Sequence, residues 1–145
     1  MFLHGGSTKF WESNIKSSEG KLDYYKIVKT NFAPEKYLHE LNFEERKTIS
    51  KLRCSDHTLE INKGRHKRIP RNQRICKLCI EQVVENEDHF LFRYKFYDNI
   101  KIKSDFLTPE TIFKDENIHK LGKYLQTAFL KRKLYLEEQE NKLNP

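Results

Sequence analysis

The sequence has no apolar run approaching the roughly 20 residues a helix needs to cross a bilayer. Its opening, MFLHGGSTKFW, has neither a basic segment nor an apolar stretch of the kind that directs secretion. No membrane span is therefore expected, and the chain is expected to be intracellular, nuclear or cytoplasmic. Cysteine is scarce, with three in 145 residues, two of them paired as Cys76 and Cys79. That is too few for a disulfide scaffold and fits a reducing compartment, where a Cys-x-x-Cys pair serves metal or redox chemistry. Core-forming material is also thin: hydrophobic residues make up 37% against 34% charged, and the mean hydropathy is -0.86. No internal repeat or low-complexity segment breaks the chain. Acidic residues are absent from the whole stretch between Lys63 and Lys77.

Aromatic residues, at 12%, supply the large apolar side chains that the aliphatic ones do not. A chain of this length suits one domain burying about 70% of the surface its unfolded form exposes. Periodicity makes that domain mainly α. In KLDYYKIVKTNF, Leu22, Tyr25, Val28 and Phe32 share one helical face. Pro34 and Glu35 suit the first turn of a short helix reaching Leu41. Asn42 is a candidate N-cap for a third helix, with Glu44 and Glu45 in its first turn, Ile49 and Leu52 facing inward, and an end near Ser55 and Asp56. HTLEI reads as extended at best, and NKGRHKRIPRNQR, with Gly64, Pro70 and no apolar period, as a loop. A helix is expected from Phe90 to Ile102 on Phe92, Phe96 and Ile100. Thr108 reads as an N-cap before PETIF, and a long helix from Asn117 to about Glu138 places Ile118, Leu121, Leu125, Phe129 and Leu136 on one stripe. Residues 1–20 are expected to form a flexible N-terminal segment, frayed around Gly5 and Gly6. Residues 21–140 then form one helical domain with an irregular turn in its middle.

That turn lies in RICKLCIEQVVENEDHFLFRY. Zinc favours four tetrahedral ligands, and a Cys-x-x-Cys turn aims two sulfurs at one ion. Cys76 and Cys79 meet this need, and His89 follows after enough chain to reverse and return an imidazole to the same point. The position completing a His-x-x-x-x-Cys half-site holds Tyr94. Residues five apart on a helix are rotated by about 140°, so positions 89 and 94 converge only where His89 sits at a helix start. Glu85, Glu87 and Asp88 agree with such a start. A phenol must lose its proton to bind, which makes Tyr94 a poor replacement for a thiolate. Water, His66, Cys54 or Glu85 are the other candidates for the fourth position. The pair alone reads either as a metal half-site or as two buried thiols. Three ligands with an open position also describe catalytic zinc, but no general base is marked by spacing.

The basic stretch comprises Lys63, Arg65, Lys67, Arg68, Arg71, Arg74 and Lys77. Like charges this dense repel unless a polyanion neutralises them, and the formal charge of +7 favours an anionic partner. Nucleic-acid phosphate is the leading partner and an anionic membrane surface the second; a solvated loop that keeps the domain soluble is the plain alternative. No aromatic side chain is interleaved, so backbone contact without base reading is expected.

In chain order, YKIVKTNFAPEKYL, SKLRCSDHTLEINKGRHKRIPRNQRICKLC and EDHFLFRYKFYDNIK resemble the C-terminal zinc-binding region of LINE-type, non-LTR retrotransposon reverse transcriptases of invertebrates. The resemblance spans about Leu22 to Leu134, with the zinc-binding region at about 63–103. It implies Cys76, Cys79 and His89 as zinc ligands and a cysteine at the position of Tyr94, so this chain departs from the pattern at a presumed ligand. It implies RNA or DNA as partner, and a separate reverse transcriptase polypeptide as a further one. The chain is too short to hold a polymerase palm, and nothing in it resembles an endonuclease, so no enzymatic activity of its own is expected. The alternative is a degenerate retroelement fragment or protein-interaction module that no longer binds metal.

Overall fold

The computed structural model describes residues 3–18, 20–29, 31–98 and 108–145. They form a small, mainly helical domain: α1 (Leu3–Ser17), α2 (Asp23–Val28), α3 (Tyr37–Glu40), α4 (Phe43–Arg53), α5 (Glu60–His66), α6 (Pro109–Ile112) and α7 (Asp115–Leu143). Between α5 and α6 lie a 3-10 turn at Arg71–Gln73, a π turn at His89–Arg93 and a second 3-10 turn at Lys95–Tyr97.

The pairing of α4 with α7 builds the core. Asn42 caps α4, its Oδ1 accepting from the Glu45 N–H at 2.9 Å, and Glu44 and Glu45 sit in the positive first turn. Ile49 and Leu52 on α4 face Ile118, Leu121, Leu125 and Ala128 on α7, all buried. Gly122 is what lets the helices approach, since a Cβ there would stand 3.0 Å from the Cβ of Glu45. At its C-terminus α4 closes by a Schellman arrangement: Ser55 N–H donates to Leu52 O at 3.2 Å and Asp56 N–H to Lys51 O at 2.8 Å. Ser55, at φ 52°, takes the left-handed position usually given to glycine.

Several boundaries differ from expectation, each for a physical reason. The opening residues, read as frayed, carry helical backbone over Leu3–Ser17. Helix α2 ends at Val28, and its buried residue is Tyr24. Phe32 instead lies outside the helix against Trp11, ring centroids 5.7 Å apart. Glu35 does not open a helix; its carboxylate binds Lys29 at 2.6 Å and Arg53 at 2.9 Å, and α3 begins only at Tyr37. Thr108 precedes α6 with extended backbone and Pro109 follows it in the first turn, but the Thr108 side chain makes no capping bond.

Helix α5 begins inside HTLEI, read as extended at best, and runs into the stretch read as a loop. Its start is capped from far along the chain: the Glu60 N–H donates to the Glu85 carboxylate at 2.7 Å and the Ile61 N–H to the Glu85 carbonyl at 3.0 Å. No local signal announces a helix capped in this way. The helix expected from Phe90 to Ile102 is broken at Tyr94, which is extended at φ -93° and ψ 121°. The Tyr94 N–H closes the π turn by donating to His89 O at 3.1 Å. Phe92 and Phe96 are half-buried as packing partners of the core, while Phe90, Leu91 and Tyr97 are its buried members; Ile100 lies outside the described residues. Helix α7 holds the predicted stripe and extends beyond it at both ends.

Candidate metal centre and basic face

A short antiparallel hairpin carries the cysteine turn. Ile75 pairs with Val84, Cys76 N–H donates to Val83 O at 2.9 Å, and Glu85 N–H donates to Arg74 O at 3.0 Å. Within the turn the Leu78 N–H points at Cys76 Sγ at 3.4 Å, the orientation that stabilises a thiolate on a bound cation. His89 arrives at the start of the π turn, where Asn86 Oδ1 accepts from its backbone N–H at 2.9 Å. The expectation that His89 must sit at a helix start is met in this form.

One donor atom from each of Cys76, Cys79 and His89 lies within 4.8 Å of the others. The closest approach is 3.7 Å, between Cys79 Sγ and His89 Nε2. Two thiols and an imidazole suit a zinc-like cation by donor type. Burial pushes the Cys76 thiol up to about 12, with the Glu85 carboxylate adding to the rise, so a cation entering this centre displaces a proton. Burial also lowers His89 below its ordinary value, which keeps the imidazole in the neutral form that binds metal.

Tyr94 reaches this centre without offering a donor to it. Its ring stacks on the His89 imidazole at 5.5 Å with 17° between planes, and its hydroxyl donates to the Leu78 carbonyl inside the cysteine turn. Burial, then the two cysteines, push the phenol up to about 12, so it stays protonated. The other side chains named for the fourth position do not join the group found among the described residues. Cys54 caps the end of α4, and His66 is exposed beside Arg65 at 3.4 Å. Glu85 lies 3.9 Å from Cys76 Sγ, but its two oxygens accept from Arg132 at 2.9 and 2.7 Å.

Arg132 was not foreseen. It lies on α7 at 2% exposure, and its ion pair with Glu85 links α7 to both the cysteine hairpin and the start of α5. A second buried cluster stands beside it: His57 Nε2 and Ser55 Oγ both donate to Glu87 Oε1, the former at 2.9 Å. His57 Nδ1 accepts from the Leu59 N–H at 3.3 Å, which makes Nε2 the protonated nitrogen. Burial opposes ionisation of Glu87, yet these two donors hold its carboxyl below the ordinary range.

The basic residues divide by role. Arg74 is structural: its guanidinium donates to Ile69 O at 2.9 Å and Ile61 O at 3.0 Å, and its aliphatic stem lies against Gly64. Arg71 pairs with Asp23 at 3.0 Å, Arg65 donates to Asn62 Oδ1 at 2.5 Å, and Lys77 pairs with Glu60 at 3.4 Å. Lys67 and Arg68 are exposed at the turn after α5, where Arg68 adopts φ 57°. Lys63 and Lys77 also line a groove of about 730 Å³ beside α4 and α7. Lys47, Lys51 and Lys133 line it too, with Glu44, Asp56, Glu137 and Glu140 interspersed and Phe129 and Leu136 among its apolar residues.

No helix among the described residues is long and apolar enough to cross a membrane. Comparison of the chain with family models, curated proteins and solved structures finds no match.

Proposed function

We propose that the chain is a nucleic-acid-binding, zinc-binding module derived from the C-terminal region of a retrotransposon reverse transcriptase, without polymerase or endonuclease activity of its own. The observation that carries this reading is that donor atoms of Cys76 and Cys79, on a hairpin continuous with the basic stretch, and of His89, on the π turn, lie within 4.8 Å of one another. In this reading Cys76, Cys79 and His89 hold the ion, which would fix the hairpin. Lys63, Arg65, Lys67, Arg68, Arg71 and Lys77 meet phosphate, and Lys51 and Lys133 in the adjoining groove extend the contact. Arg74 orders the stretch from within.

Two measurements test it. Zinc content of protein purified without added metal should approach one ion per chain, with loss of binding in Cys79→Ser. Affinity for RNA and DNA should fall as salt rises, each phosphate neutralised adding about 0.9 to the log–log slope. Affinity indifferent to salt, or unchanged when Arg65, Arg68 and Arg71 are neutralised together, would sink the nucleic-acid half.

A second reading, a protein-interaction module or degenerate fragment that no longer binds metal, is favoured by one observation: the Tyr94 hydroxyl is engaged with Leu78 O and adds no fourth donor. Stoichiometric zinc rejects that reading.

A further inference from the structure

Small zinc domains commonly depend on the ion for folding, because little else holds their ligand loops together. This hairpin is held in other ways. Its strands are joined by the Cys76 to Val83 and Glu85 to Arg74 backbone bonds. Its return strand is fixed by the buried Glu85–Arg132 pair, and Cys76, Leu78, Phe90 and Leu91 are themselves core residues. The remaining problem is to join the cysteine turn to the His89 turn, which a shared ion would otherwise do. Tyr94 makes that connection. Its hydroxyl donates to Leu78 O on one side, its ring stacks on His89 on the other, and Phe96 and Tyr97 brace it at 5.7 and 6.0 Å between centroids.

We propose that Tyr94 is a clasp that positions Cys76, Cys79 and His89 without an ion, so that the centre takes up and releases a zinc-like divalent cation while the domain stays folded. This rests on the metal reading given above and adds to it a reversible site in place of a permanent structural one. The hydroxyl bond and the ion connect the same two turns, so each should matter most when the other is missing.

The test follows thermal unfolding of the full chain by circular dichroism, in zinc and in EDTA, for wild type, Tyr94→Phe and Tyr94→Cys. Zinc binding is measured separately by equilibrium dialysis. Wild type should retain its helical signal in EDTA and melt cooperatively within a few degrees of the zinc-loaded protein. Tyr94→Phe keeps the stacked ring and loses only the donor; in EDTA its Tm should fall by roughly 3–6 °C, the scale of one hydrogen bond in a domain of this size. Zinc should remove most of that deficit. A merely structural tyrosine would give equal deficits with and without zinc, and that result overturns the proposal. Tyr94→Cys supplies a third thiol as the fourth ligand and removes the clasp, so its fold should become zinc-dependent and its zinc affinity should rise at least tenfold. Unfolding of wild type on adding EDTA overturns the clasp and leaves the metal reading standing. Absence of zinc uptake by wild type overturns both.

Discussion

Replacing Arg132 would leave Glu85 a buried carboxylate without its cation. Removing one partner of a buried pair costs about 3–5 kcal/mol, so Arg132→Leu should lower the urea midpoint of unfolding severely, if the variant folds at all. The Arg132 guanidinium donates to both Glu85 carboxylate oxygens, and Arg132→Lys, which keeps the charge but not the fork, should fall between wild type and Arg132→Leu. At this scale the grouping of Cys76, Cys79 and His89 was legible, because Cys-x-x-Cys and a following histidine carry their chemistry in their spacing. Arg132 was not, although a trace existed. Positions 118, 121, 125, 128 and 132 follow one helical face, so a charge at 132 sits on the apolar stripe of α7, where it needs a buried partner. What no local pattern revealed is that Glu85, 47 residues earlier, is that partner. Tyr94 was legible as a departure from a ligand pattern, but its bond to Leu78 is not, since it depends on how the two turns meet.

Among the elements, α4 and α7 were readable because their caps and stripes are local. Helix α5 was missed because its N-terminal N–H groups are satisfied by Glu85, 25 residues away, and because Gly64 suggested a break. Gly64 instead marks close packing: a Cβ there would lie 2.4 Å from Arg74 Cγ. Gly64→Ala should therefore destabilise the protein by about 1–3 kcal/mol despite alanine's better helix propensity, a loss readable in chemical denaturation. Arg74→Gln should also lower stability, while changing the salt slope of nucleic-acid binding less than Arg68→Gln does. Equal slopes for the two would mean that Arg74 meets phosphate directly. The Phe90–Ile102 expectation failed for a different reason: the aromatic spacing of four is real, but the extended Tyr94 splits it, so Phe92 and Phe96 flank the core instead of sharing one helical face.

For the molecule as a whole, pH is a probe of the buried charges. Burial opposes ionisation of Glu35, but hydrogen bonds from Arg53 and Lys29 hold its carboxyl below the ordinary 4.5, and Glu87 is held down in the same sense. A carboxyl with a depressed folded pKa contributes stability above its unfolded value and loses it as pH falls through the folded one. His89, lowered from 6.5, resists a proton that the unfolded chain accepts, so stability begins to fall from that pH downward. Urea midpoints in EDTA should thus decline gently below about 6.5 and steeply below about 4.5. Glu87→Gln should soften the steeper limb.

The Glu85–Arg132 pair also bears on the order in which this chain assembles. The hairpin holding Cys76 and Cys79 is synthesised before α7, yet the guanidinium that neutralises its buried carboxylate arrives only with that helix. A nascent chain ending before residue 132 would contain both cysteines and His89 but not the cation that lets Glu85 be buried. Burial of Glu85 beside the cysteines is therefore expected to await synthesis of α7 through Arg132, even though the donors themselves are close together in sequence.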